Sequence, residues 1–295
     1  RKEPRVVPVV VECTVGRRPV KHCADPTDPF HIAVHVRSVC WVKERLFNVA
    51  KAHLTRTVPD WKYIAQPDAD LTFLNPHWVR DTIDALQLFP VVQMFETAVD
   101  LGPSGRAGRV RKSFAAALLD GVKADVRATA DSALGHAKRV AHLSRTQAYG
   151  DTHPGYAWAY TREFFAGVGG LLDVAILGSA DKLMTRAMVG AVDEALNPAL
   201  HPAYVEAVRA WQAKVARFGG RVGCVRGTVA HHHHGPKVNR MYAKRTSILV
   251  HHAFDPRHDL MENDCGVWEL SGNKPRLEAA IHAYFDMRSE DDIAE

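Results

Sequence analysis

The chain has 295 residues, 46% of them hydrophobic and 24% charged, with a formal net charge of +5. That balance suits a folded globular protein and excludes disordered and fibrous classes. The longest apolar stretch, Phe164 to Leu177, contains Asp173 and falls short of the roughly 18 residues a membrane helix needs.

In chain order, Val6 to Glu12 reads as a buried strand. Val36 to Leu54 reads as an amphipathic helix, with Val36, Val39, Cys40, Leu46, Phe47, Ala50 and Leu54 at helical spacing. A short strand at Tyr63 and Ile64 empties into Asp68-Ala69-Asp70. Asn75-Pro76 then caps a helix reaching about Leu88, and a strand follows from Val91 to Phe95. This alternation predicts an α/β protein built on a mostly parallel central sheet flanked by helices. Residues 101–150 show helical periodicity only near Phe114 to Leu119 and read as an excursion from that pattern. Beyond them come an aromatic segment (Tyr156 to Phe165), a glycine turn (Gly167 to Gly170), and helices at Asp181 to Val192 and Pro202 to Phe218. A strand is expected from Arg221 to Val229, and a last helix from Pro275 to Met287 before the acidic tail Glu290 to Glu295. With no repeat and no low-complexity linker, residues 1–295 are expected to form one domain.

The five cysteines (Cys13, Cys23, Cys40, Cys224, Cys265) are scattered and never spaced Cys-x-x-Cys, which argues against a disulfide framework or a zinc knuckle. With no apolar signal core after Arg1, the expected location is a reducing cytoplasm. Residues 101–150 hold nine Lys or Arg against three acids, a local +6 that leaves the remainder near −1. Such a segment either meets a polyanion or is a solvated helical face.

Three groups of residues carry chemistry. Asp68 and Asp70, at a strand end where open α/β sheets bind ligands, offer hard oxygens suited to Mg²⁺ or Mn²⁺; otherwise they form a solvated turn. In the run His231-His232-His233-His234-Gly235, one or two imidazoles can complete such a site. Only some can, because neighbouring side chains on an extended segment face opposite ways. Lys237 and Arg240, close behind, are candidates for phosphate oxygens. His153-Pro-Gly-Tyr156-Ala-Trp158 with Gly169 and Gly170 has the composition of a flat floor for a sugar or base. Asp181, after a Gly-Ser turn at a helix start, is either a charge stabilising the helix dipole or a catalytic base.

Taken in order, Trp41-x-Lys43-Glu44, Asp68-x-Asp70 with Phe73-Leu-Asn75, His153-Pro-Gly-Tyr-x-Trp158, Gly169-Gly170 with Gly178-Ser-x-Asp181, and His231-x-x-His234-Gly235 with Arg240-x-Tyr242-x-x-Arg245 resemble the family-2-like, GT-A-fold glycosyltransferases of bacteriophages and large viruses. The similarity runs from about Val6 to Asp292. It implies a Rossmann-like GT-A domain with a basic insertion at about 101–150. It further implies Mn²⁺ or Mg²⁺ held by Asp68, Asp70 and one of His231 or His234, and Asp181 as the base of an inverting transfer. A nucleoside-diphosphate sugar would bind at Asp68, Lys237, Arg240, Trp158, Gly169 and Gly170. An acceptor, either a glycan or a modified base in DNA, would rest on Tyr156 and Trp158. The location implied is a host cytoplasm. Gln66-Pro67 departs from the apolar residues usual before the aspartates, which suggests an irregular strand end. Two other classes use the same residues: a metal-dependent phosphoesterase or nuclease, and a non-catalytic nucleic-acid-binding module resting on the basic segment alone.

Overall fold

The structure is a computed structural model that describes residues 6–16, 23–126, 152–235, 237–242 and 244–288, with backbone alone at 122–126 and 237. In its first half the strands are β1 (Val10–Val15), β2 (His31–Val36), β3 (Tyr63–Pro67), β4 (Leu71–Phe73), β5 (Val91–Gln93), β6 (Thr97–Leu101) and β7 (Ala107–Lys112). The helices there are α1 (Lys43–Thr57), α2 (Trp78–Leu86) and α3 (Phe114–Val126). The second half has strands β8 (Ala157–Thr161), β9 (Val222–Cys224), β10 (Thr228–His231), β11 (Leu260–Glu262) and β12 (Trp268–Leu270). Its helices are α4 (Arg162–Val168), α5 (Ala180–Met188), α6 (Pro202–Ala216), α7 (Thr246–His251) and α8 (Pro275–Asp286).

Two four-stranded sheets organise the molecule, in the orders β3-β8-β5-β9 and β4-β10-β6-β7; β1 pairs with β2 and β11 with β12. The α/β class expected from the sequence is present, but the sheets are mixed rather than mostly parallel. Only β5-β9 and β10-β6 run parallel in the two larger sheets; β3-β8, β8-β5, β4-β10 and β6-β7 are antiparallel. In the first of these sheets the cause is β8, which arrives late in the chain and inserts between β3 and β5; in the second, β7 returns on β6 as a hairpin and β10 inserts between β4 and β6. Reading successive strand-helix-strand units cannot anticipate a strand inserted from far along the sequence.

Several boundaries also move. The first strand lies at Val10–Val15 rather than Val6 to Glu12, and Val36 closes β2 instead of opening a helix. Val34 and Val36 are both buried while Ala33 and His35 are exposed, so a period of two wins over the helical spacing until Lys43. The strand expected from Arg221 to Val229 is two strands, broken at Gly227 with φ +136°, and its second half carries on through His231. The segment read as an excursion opens with β7, which forms a hairpin with the preceding β6 and leads into α3. Its further cations Arg127, Lys138, Arg139 and Arg145 lie outside the described residues, as does the acidic tail.

Three links of three residues each cross from one four-stranded sheet to the other: 68–70 between β3 and β4, 94–96 between β5 and β6, and 225–227 between β9 and β10. A compact apolar cluster of Leu86, Val92, Met94, Phe95, Ala98, Val225 and Val229 packs around these crossings and holds them in fixed relation. The larger core, under α1, α4, α5 and α6, includes Trp61, Tyr160, Phe164, Phe165, Ile176, Val208 and Trp211. The site described next therefore stands on a rigid seam.

Candidate metal centre and adjoining cavity

Asp70 leaves the first crossing, and His231 ends β10 at the register position opposite Leu71 of the neighbouring β4. His234 returns from the loop beyond. Asp70 Oδ2 lies 2.8 Å from His234 Nε2 and 3.3 Å from His231 Nε2, and the two imidazole nitrogens are 3.2 Å apart. Octahedral ligands at about 2.1 Å from a cation are separated by edges of about 3.0 Å, so these three atoms outline one face of such a shell. Asp70, His231 and His234 are the group among the described residues able to hold a metal ion. The second oxygen, Asp70 Oδ1, is buried with no hydrogen-bond partner. A buried carboxylate oxygen left unpaired is costly, and a bound cation would relieve that cost.

The triad is held from behind. His231 is 5% exposed, and its Nδ1 lies 3.1 Å from Oδ1 of Asp100, its direct register partner on β6. A carboxylate can only accept, so this contact puts a proton on Nδ1 and leaves Nε2, which faces Asp70, as the ring atom that would ligate a cation once it gives up its own proton. Asp100 is itself fixed by the Tyr156 hydroxyl at 2.5 Å and by Arg111 Nη2 at 3.0 Å. Burial presses the His231 imidazolium down, but Asp100 and Asp70 outweigh it and raise the ring above its usual range. Burial likewise works against the Asp70 carboxylate, yet His231 and His234 hold it well below the ordinary carboxylate range. His232 and His233 are exposed; His232 contacts Thr72 Oγ1 at 2.9 Å.

Asp68 is not part of this triad. The turn at Ala69-Asp70 interrupts the two-residue repeat of β3, so Asp68 faces α1 and accepts from Lys43 Nζ at 2.8 Å. Burial lowers the Lys43 ammonium, but Asp68 and Glu44 more than offset it and keep it protonated beyond its usual range. Burial raises the Asp68 carboxyl, with Lys43 pulling the other way. Next in α1, Glu44 is 4% exposed and pushed up by burial to about 7.

The triad adjoins a cavity of about 690 Å³. Tyr156 and Arg240 connect them. The Tyr156 ring stacks on His231 with centroids 4.5 Å apart, Arg240 Nη2 lies 2.8 Å from His234 Nε2, and both residues line the cavity. Asp181, in the first turn of α5, is the one carboxylate among the described residues that line the cavity; Arg111, Lys182, Arg240 and Arg245 supply positive charge, and Leu177, Leu196 and Leu249 an apolar side. Gly155 packs against it so closely that a Cβ there would stand 2.6 Å from Asp181 Oδ2. Tyr156 and Ser179, on either side of Asp181, have φ of +76° and +75°, strained values for non-glycine residues that cluster at working sites.

The remaining expected site residues lie elsewhere. Trp158 is a core residue at 5% exposure whose indole N–H donates to the Pro154 carbonyl, so it offers no open stacking face. Tyr156 borders the cavity, but its hydroxyl is committed to Asp100 and its ring lies between His153 and His231. Gly169 and Gly170 end α4 away from the cavity. At Gly170, φ is +111° and a Cβ would fall 2.7 Å from Asn48 Oδ1, while its carbonyl accepts from Trp211 Nε1. The Lys237 side chain lies outside what is described. Of the basic segment, Arg111 is tied to Asp100 and Lys112 to Asp120. Asp100 went unnoticed in the sequence, where the alternation Thr97-Ala98-Val99-Asp100 places it on the same buried side as Ala98.

Comparison of the chain with protein-family models, with curated proteins and with solved structures finds no match. No helix among the described residues is long and apolar enough to cross a membrane.

Proposed function

We propose that this protein is a metal-dependent glycosyltransferase that moves a sugar from a nucleoside diphosphate to an acceptor hydroxyl with inversion. The observation that carries the reading is the Asp70–His231–His234 triad opening, through Tyr156 and Arg240, onto a cavity whose one carboxylate is Asp181. Two imidazoles and one carboxylate are a mixed donor set that suits Mn²⁺ better than Mg²⁺. Held there, the cation would neutralise charge on the departing diphosphate.

The chain's own residues supply the rest. Asp181 accepts the proton of the acceptor hydroxyl as that oxygen bonds to the anomeric carbon and the bond from that carbon to the diphosphate breaks. Arg240 stands between the triad and the cavity, where a diphosphate reaching from one to the other would pass. Lys43, locked on Asp68, takes up one acidic charge at the crossing, so that Asp70 alone of the pair joins the two histidines. The acceptor is a glycan or a hydroxyl-bearing base in DNA.

The test is thermal stabilisation by a panel of nucleoside-diphosphate sugars, with and without Mn²⁺, followed by product analysis. A cognate donor at 100 times its dissociation constant stabilises by about 2.7 kcal/mol. That stabilisation is expected only with Mn²⁺, and to vanish in Asp70→Ala. Undiminished transfer by Asp70→Ala in chelator removes the metal from the reading. Release of a nucleoside monophosphate instead of a diphosphate reassigns the site to phosphoester hydrolysis, which the same triad and cationic lining would serve.

A further inference from the structure

Among the described residues Arg245 is the one strongly buried cation lining the cavity, and its surroundings differ from those of Arg45, Arg111 and Arg186. Arg45 meets Asp173 and Glu262, Arg111 meets Asp100, and Arg186 meets Glu194. Arg245 is only 6% exposed, yet no carboxylate among the described residues pairs with it. Its contacts are all neutral: the Tyr284 hydroxyl at 3.4 Å, the Ser179 hydroxyl, and the Tyr242 ring at 4.9 Å. Its Nε is buried with no hydrogen-bond partner. A guanidinium enclosed without a counter-charge is unfavourable, because both its solvation and its Coulomb partner are missing.

The position is as informative as the deficit. Ser179 begins the turn that carries Asp181 into α5, so the hydroxyl on Arg245 is two residues from the candidate base. A Cβ at Gly178 would stand 3.2 Å from Arg245 Nη1, so the bare glycine leaves the guanidinium the room it occupies against the cavity wall. Arg240 and Tyr242, joined by a 3.1 Å hydrogen bond, face the same cavity.

We propose that the cavity contains an oxyanion subsite centred on Arg245 and Ser179, which takes a phosphate or carboxylate group of a molecule seated beside Asp181. The planar guanidinium presents paired donors matched to such a group, and the ligand supplies the counter-charge that the fold withholds. Its part in transfer rests on the glycosyltransferase reading, whereas the binding itself does not. Two sources share this chemistry: an acidic acceptor, and the diphosphate of the donor extending from the triad.

The experiment uses inorganic phosphate as the probe, titrated into the whole protein without divalent cation and read by thermal shift and ³¹P line broadening. Wild type binds phosphate, and Arg245→Gln, checked by circular dichroism to be folded, binds it about tenfold more weakly or not at all. Should the glutamine variant fail to fold, Arg245→Lys replaces it. The lysine keeps the charge and loses the fork, and is also expected to weaken phosphate binding by about tenfold. Absence of phosphate binding in wild type, or equal binding by wild type and the folded variant, overturns the proposal. Saturation with pyrophosphate and Mn²⁺ then separates the sources. Loss of phosphate binding under that condition assigns the subsite to the donor diphosphate, and retention assigns it to an acidic acceptor. Neither result depends on transfer activity, so a failed glycosyltransferase assay leaves the subsite standing or falling by itself.

Discussion

Replacing Asp100 with asparagine tests whether the triad is a prepared metal site or an incidental cluster of hydrogen bonds. Asn has the shape of Asp but lacks its charge, and one of its two terminal atoms is a donor. Three groups now point donors at Asp100: His231 Nδ1 at 3.1 Å, the Tyr156 hydroxyl at 2.5 Å and Arg111 Nη2 at 3.0 Å. An amide can accept from some of these with its oxygen, but its NH₂ must face another. If the NH₂ faces His231, Nδ1 must become the acceptor, the ring proton is confined to Nε2, and the atom that would ligate the cation is lost. If it faces Arg111, two donors meet and a half-buried guanidinium loses its counter-charge. Loss of such an outer partner of a ligating histidine typically weakens metal affinity 10- to 100-fold, which is about 1.4 to 2.8 kcal/mol. The assay is Mn²⁺ titration followed by the electron paramagnetic resonance signal of the free ion, for wild type, Asp100→Asn and Tyr156→Phe. The phenylalanine variant keeps the carboxylate and is expected to weaken binding less than the asparagine variant. A folded Asp100→Asn protein with the affinity of wild type would refute the orienting role; a wild type that binds no Mn²⁺ would refute the metal centre itself.

Three further substitutions probe separate parts of the structure. Asp181→Asn is expected to lower turnover by about 10² to 10⁴ while leaving donor affinity nearly unchanged, since the lost proton transfer occurs only in the transition state; near-normal turnover with lowered stability would reassign the residue to the start of α5. Burial raises Glu44 from an ordinary 4.5 to about 7, so over that interval the folded protein holds a proton that the unfolded chain has released. Stability from this group is therefore present at low pH and lost as pH rises to 7, by about 3 kcal/mol in all. Glu44→Gln removes that slope, and urea midpoints of the two proteins at pH 5 and 8 should diverge accordingly; parallel profiles would contradict it. Gly170→Ala forces a side chain into φ +111° and against Asn48, so a loss of about 1–3 kcal/mol is expected in denaturant unfolding. Donor affinity should be untouched, because Gly170 stands apart from the cavity; a large donor defect in a stable protein would restore the glycine to the binding site.

What the sequence determined by itself was mostly local. The apolar spacing of α6 and α8 and a strand ending at Asp68 depend on neighbours within a few residues, and those elements formed where that reading put them; α2 instead starts at Trp78, two residues after the expected Pro76, with Asn75 Oδ1 accepting from the His77 N–H in the turn before it. Asp70, His231 and His234 were legible as ligand types, because strand-end carboxylate and imidazole have few other uses in combination. Which residues meet was decided elsewhere. The late insertion of β8 between β3 and β5 made the sheet mixed and carried Tyr156 to the face of His231. The turn after Asp68 separated two aspartates that look equivalent on paper and gave one to Lys43. Trp158, an exposed platform by composition, became core because β8 is covered on both faces, and composition carries no information about what covers a strand. The clearest case is Asp100. The local alternation marks it only as buried, and it reaches His231 because β6 and β10, 131 residues apart, pair in parallel in the register that sets the two side by side.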